Sequence, residues 1–138
     1  MYTIQRSGVI IIKSQLSDEE YRKTCAFLKR VSALLPTHQV RVEANREKNR
    51  AFMKRLNLRQ TDIERIIGSI TADDCFRISQ NNNSRYPDAE VYEFLPHVEL
   101  MEYGETNLYT LYIKEYIVCD GSFEMLVIIS LHEEGEYE

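Results

Sequence analysis

The hydrophobic period of this chain changes once, near residue 89, and that change limits the folds open to it. Before it, apolar residues recur every three or four positions, as helices require; after it they alternate, as strands require. Ser17 and Glu20 form a capping box, and Tyr21, Cys25, Leu28, Val31 and Leu35 then fall at helical spacing until Pro36, which predicts a helix over 18–35. After a loop over 36–42, a short basic amphipathic helix is expected over 47–56, with Phe52, Met53 and Leu56 on one side. Thr61 and Glu64 form a second capping box, and Ile63, Ile66, Ile67 and Ile70 predict a helix over 62–69. Thr71, Asp73 and Asp74 read as a cap and acidic first turn, so a helical turn should carry Cys75, Phe76 and Arg77 before a polar loop at Asn81 to Ser84.

From Ala89 onward, the stretches 89–95, 98–103, 108–118 and 123–131 are rich in Val, Ile, Tyr, Phe and Thr, with turn residues between them. Gly8 to Lys13 reads as one further short buried strand. Helices first and strands second argue for an α+β fold, with N-terminal helices packed on one face of a C-terminal antiparallel β-sheet. A length of 138 residues fits one domain, with 1–40 as an appended strand and helix.

No apolar run reaches the roughly 20 residues that span a bilayer, and the start lacks the pattern of a signal peptide, so no membrane partner is expected. Cys25, Cys75 and Cys119 are odd in number and widely spaced, which fits a reduced, cytoplasmic setting and gives no metal knuckle. Residues 1–85 hold 16 Lys and Arg against 9 Asp and Glu, whereas 86–138 hold 1 against 13. A basic half that attracts an anion is thus joined to an acidic half that attracts a basic partner or maintains solubility.

The strand over 108–118 carries the most chemistry. Its odd positions, Tyr109, Leu111, Ile113, Glu115 and Ile117, should face the core, leaving Thr110, Tyr112, Lys114 and Tyr116 on the other face. Lys114 is the only Lys or Arg in the last 53 residues. A two-residue Asp120-Gly121 turn would oppose Lys114 with Val127; a three-residue loop, Asp120 to Ser122, would set Ser130 beside Tyr112 and His132 beside Thr110. The second is chosen because it also pairs Ile113 with Ile129 and Leu111 with Leu131 inside. The face then gathers Tyr112, Lys114, Ser130 and His132, groups able to bind a phosphodiester and to cut RNA whose own 2′-hydroxyl is the nucleophile. No cofactor and no metal are called for, since no His, Cys, Asp or Glu cluster has ligand spacing.

Lys48-Asn49, Leu56, Leu58 and Asp62, IIGSITADDCFR (66–77), VYEF (91–94), LYIK (111–114) and IISLH (128–132) match in order and spacing the pattern of the MqsR-type messenger-RNA interferases. Residues 46–132 therefore resemble those toxins of toxin-antitoxin systems, and the resemblance implies a RelE-like fold. It also implies metal-independent endoribonuclease activity on free or ribosome-associated RNA, and a cognate antitoxin protein as partner. The family's catalytic positions would fall on Arg77, Glu93, Tyr112 and His132. Glu93 departs in chemistry, because a carboxylate beside a phosphate repels it unless it acts as a base or is paired with Arg77 or Lys114. Leu131 and Cys75 stand where the pattern has aromatics, and 1–40 have no counterpart.

Two expectations follow. In the first, Arg77 and Lys114 hold the phosphate, Tyr112 and His132 transfer protons or position groups, and Arg46, Lys48, Arg50, Lys54 and Arg55 grip the RNA strand. In the second, the same shape is a catalytically silent module whose acidic half binds a basic protein. His38 and His97 read as loop histidines.

Overall fold

This computed structural model describes residues 16–82 and 85–135 in full, and the backbone of two three-residue strands, β1 (Thr3–Gln5) and β2 (Ile10–Ile12), which pair antiparallel. Gly8, Val9 and Lys13 of the expected first strand, and Asn83 and Ser84 of the expected loop, lie outside the described residues. Three helices follow: α1 (Asp18–Leu34), α2 (Glu47–Arg55) and α3 (Gln60–Gly68). Between α1 and α2 runs β3 (Val40–Val42), and after α3 come β4 (Cys75–Gln80), β5 (Glu90–Phe94), β6 (His97–Glu102), β7 (Glu105–Asp120) and β8 (Phe123–Glu133). The fold is α+β, as the change of period requires, but its sheet is mixed rather than antiparallel.

The six strands run in the order β3-β8-β7-β5-β4, with β6 on the first half of β7. β3 lies parallel to β8, pairing Val40 with Leu126 and Val42 with Ile128, where a loop was expected. Three residues cannot show a period, so only the edge they pair with identifies them as a strand. The expected helical turn at Cys75 to Arg77 is also corrected. Asp74 caps a single 3-10 turn by accepting the Thr71 N–H at 2.9 Å, and Cys75 already begins β4.

One core face collects Phe27, Val31 and Leu34 from α1, Phe52 from α2 and Leu56 just after it, and Ile63, Ile66 and Ile67 from α3, against Leu111, Ile113, Leu126, Ile128 and Leu131 of the sheet. The α1 capping box is present, with Ser17 and Glu20 bonded reciprocally. Its buried face is Thr24, Phe27, Val31 and Leu34, whereas the expected Tyr21 and Cys25 are exposed. Thr24 can be buried because its hydroxyl donates to the Glu20 carbonyl at 2.9 Å. On α3 the cap lies two residues earlier than expected: Asp62 accepts the Arg59 N–H, while Glu64 is bonded by His38 and Gln60. Among the described residues, no helix is long and apolar enough to cross a membrane.

The hairpin of β7 and β8 departs from the expected register by two one-residue shifts that add in register but together restore the face. Its loop is two residues, Gly121-Ser122, with Asp120 opposite Phe123 and a φ of +65° at Gly121, a backbone state that glycine adopts at little cost. That turn alone would rotate Ser130 and His132 into the core. The register then slips by one between Lys114 and Glu115, where Ile129 is the extra residue, so that Lys114 faces Ser130 and Tyr112 faces His132. Tyr112 does not face Ser130, nor Thr110 His132, yet all four polar residues share the predicted face. The bulge is what aims His132.

The bulge is held from the side. β3 covers β8 only as far as Ile128, and beyond it the buried Asn49 of α2 donates to the Ile129 carbonyl at 2.9 Å and accepts the Leu131 N–H at 2.9 Å. It also donates to the Glu43 carbonyl at 3.1 Å. Asn49→Leu leaves these backbone groups unpaired and should destabilise the fold by about 2–3 kcal/mol. The denaturant midpoint reads this; an unchanged midpoint would mean that the bulge holds itself.

Candidate active site

Four strands place one residue each in a single row across the polar face: Arg77 on β4, Glu93 on β5, Lys114 on β7 and Ser130 on β8. Tyr112 and His132 form the adjacent pair, their rings 5.6 Å apart and tilted by 46°. All four predicted catalytic residues are therefore brought to one side of the sheet.

Glu93 is the anchor of this face. It is 1% exposed, and its carboxylate accepts Arg77 Nε at 2.9 Å, Arg77 Nη2 at 2.7 Å, Ser79 Oγ at 3.0 Å and Tyr112 OH at 2.6 Å. Burial favours the neutral acid, but the bonds from Arg77 and Tyr112 and the guanidinium charge outweigh it and hold Glu93 below the usual carboxylate range. The charge conflict that Glu93 poses beside a phosphate is thus resolved by pairing with Arg77, one of the two partners named from sequence. The Arg77 side chain remains 60% exposed, with its guanidinium 5.6 Å from the Phe76 ring centroid.

Tyr112 is a donor to Glu93, and burial together with that carboxylate pushes its phenol well above the ordinary value of 10. Such a phenol keeps its proton and positions its neighbours rather than serving as a base. His132 is buried, and its Nδ1 lies 3.0 Å from the Glu133 carbonyl. A carbonyl only accepts, so Nδ1 carries the hydrogen and Nε2 of the neutral ring is left as an acceptor. Lys114, half-buried between these groups, has no ion pair or hydrogen bond among the described residues, since both oxygens of the facing Glu93 are occupied.

Tyr112, Lys114, Ser130 and His132 line a hollow of about 450 Å³ whose other wall is the start of α2, Arg46, Glu47, Lys48 and Asn49, whereas Arg77 and Glu93 lie beside it in the row across the sheet. Helix amides at an N-terminus attract an anion, and Arg46, Lys48, Lys114 and His132 surround the same space. The remaining basic residues expected to hold RNA do not line it. Arg50 donates to the Ala44 carbonyl at 2.8 Å, Lys54 is exposed further along α2, and Arg55 is committed to Glu102 at 3.0 Å and Glu133 at 3.1 Å. Among the described residues, no group of three or more His, Cys, Asp or Glu is placed to hold a metal.

Asn49 and Ser79 belong to this site and were given no role from sequence. Ser79 would have followed from reading 75–80 as a strand, because Arg77 and Ser79 then share a face. Asn49 had as its only signal a place in the Lys48-Asn49 pair of the family pattern, which assigns it no role. His38 is bonded to Glu64 at 2.9 Å, and His97 opens β6 rather than lying in a loop, with Nδ1 2.9 Å from Thr110 Oγ1.

Replacing Arg77 by Met leaves the buried Glu93 carboxylate with only Tyr112 and Ser79. The expected loss at pH 7 is about 2–3 kcal/mol, below the 3–5 typical of a fully buried pair because Arg77 is largely solvated. A depressed pKa contributes stability above the unfolded value of 4.5 and loses it as the pH falls through the folded value, so the deficit should shrink in acid. Urea titrations of the variant at pH 7 and pH 3.5 check this, and an equal deficit at both would rule out the Glu93 charge as its cause.

The chain matches no protein-family description, and no curated protein or solved structure is significantly similar to it.

Proposed function

We propose that this chain is a metal-independent endoribonuclease of the toxin type, with a RelE-like arrangement of helices on its sheet and a cognate antitoxin protein as its natural inhibitor. The observation that carries the reading is a Lys114 ammonium, without an ion pair or hydrogen bond among the described residues, in the same hollow as the acceptor nitrogen of His132. Their strand positions are one row apart, about 7 Å along the strand, and both side chains line the one hollow.

In the reaction, His132 Nε2 takes the proton of the 2′-hydroxyl, O2′ forms a bond to phosphorus, and the bond from phosphorus to O5′ breaks. Lys114 and the exposed edge of Arg77 offset the charge that develops on the phosphate oxygens. The departing 5′-oxygen takes a proton from the Lys114 ammonium. Tyr112 and Glu93 hold the row in place, and Asn49 holds the bulge that presents His132.

Purified protein incubated with unstructured RNA in excess EDTA tests the proposal. Cleavage by the wild type, reduced at least a hundredfold in Lys114→Met, is expected. RNA left intact across pH 5 to 9 would overturn the endonuclease reading.

A further inference from the structure

Next to the cationic hollow lies a second one, of about 380 Å³, and the two share Arg46 and Lys114. The lining changes at that border. On the far side, Arg46 and Lys114 give way to the exposed side chains of Asn45, Gln80 and Asn82, none bonded to a described residue. Below them the floor is apolar: Val91 and Tyr116, 1% and 2% exposed, together with half-buried Ile129. The Glu43 carboxylate stands in the wall, with Arg41 3.7 Å away.

We propose that this second hollow holds one unstacked nucleobase, so that the groove has a phosphate-holding half and a base-reading half. The inference rests on the RNA reading above and names how that site would choose its substrate. Besides the shared Arg46 and Lys114, the first hollow adds Lys48 and the His132 ring beside Glu47, while the second adds one carboxylate, Glu43, and no further cation, so phosphate favours the first and a nucleotide lies in one direction. Side-chain amides both donate and accept, as the Watson–Crick edge of a base requires, and single-stranded RNA is read by such edges over an apolar platform. The volume is near the lower end of the roughly 300–1,000 Å³ of small-molecule pockets, which suits one base and not a stretch of chain.

The floor is built for this purpose by the fold. Tyr116 and Val91 belong to a small second cluster on the polar face, with Val118 and Val127, which the segment around Tyr86 covers. Asn81 fixes that segment by donating to the Tyr86 carbonyl at 2.9 Å. Gln80 and Asn82 therefore flank a residue that is itself held in place.

The test uses pentanucleotides carrying 2′-O-methyl groups, which cannot be cut because the nucleophile is blocked, each with one abasic position. Fluorescence anisotropy should show that removing the base at one position weakens binding at least tenfold. The Asn45→Ala/Gln80→Ala variant, altered only at exposed positions, should lose that sensitivity while keeping the salt dependence of binding. Equal affinity for all five abasic ligands, or a sensitivity the variant retains, would overturn the base-reading half. Unmodified RNA run in parallel separates the two ideas. Cutting without abasic sensitivity leaves the endonuclease and removes the base pocket, and sensitivity without cutting does the reverse.

Discussion

Replacing His132 by alanine is expected to lower RNA cleavage by about a hundredfold to ten-thousandfold, the range that a positioned proton-transfer group contributes. The His132 Nδ1 is held against the Glu133 carbonyl and the ring plane is set by Tyr112, so the ring presents one fixed nitrogen to the hollow. A residue with a merely structural role would lose activity only in step with stability. His132→Ala should instead keep a cooperative melt, and millimolar imidazole added to the buffer should restore part of its cleavage, because a free base can occupy the vacated space. Tyr112→Phe removes only the bond to Glu93 and should cost about tenfold, without rescue. Rescue that fails, with a melt that collapses, would assign His132 to packing.

The second large effect concerns the opposite face of the same strand. Glu115 is fully buried, and among the described residues neither carboxyl oxygen has a hydrogen-bond partner. It faces Tyr92 on β5 and Ile128 on β8, and burial pushes its pKa from 4.5 up to about 8. Below pH 4.5 the group is protonated folded and unfolded, and there is no penalty. Between 4.5 and 8 the unfolded chain ionises while the folded chain keeps its proton, so stability falls by about 1.4 kcal/mol per pH unit. The accumulated cost near pH 7 is on the order of 3 kcal/mol, and it levels off above pH 8. Glu115→Leu should therefore raise the melting temperature at pH 7.5 by more than at pH 5. Melting curves of both proteins from pH 4.5 to 9 check this, and parallel curves would mean that Glu115 is solvated in the folded state. Glu93 acts in the opposite sense, losing its contribution in acid, so the wild type should be most stable near pH 5.

Where the sequence was legible, a periodic signal was anchored by a core. Tyr109, Leu111, Ile113, Glu115 and Ile117 of β7 are buried as predicted, although Tyr116 and Val118 of the other face are buried as well, and Ile63, Ile66, Ile67 and Ile70 pack as their spacing requires. Arg77 was misplaced on a helical turn because the Thr71 cap is a strong local signal, whereas the alternation that follows it is only six residues long. The register of the hairpin was off by two at the site, and no local rule would have corrected it. The turn is set by where Gly121 takes its positive φ, and the bulge by a side chain about 80 positions earlier, Asn49, meeting the uncovered edge of β8. The face survived because two one-residue shifts preserve the alternation. The committed state of Arg55 was not readable either, since its partners Glu102 and Glu133 lie on β6 and β8.

The most direct measurement is the chemistry of the cut ends. Attack by the RNA's own 2′-oxygen, aided by His132 and Lys114, leaves a 2′,3′-cyclic phosphate on one fragment and a 5′-hydroxyl on the other, with EDTA present throughout. Mass spectrometry of the fragments should find that pair. Fragments ending in 3′-hydroxyl and 5′-phosphate, or RNA that survives intact, would contradict a nuclease centre built on this face of the sheet.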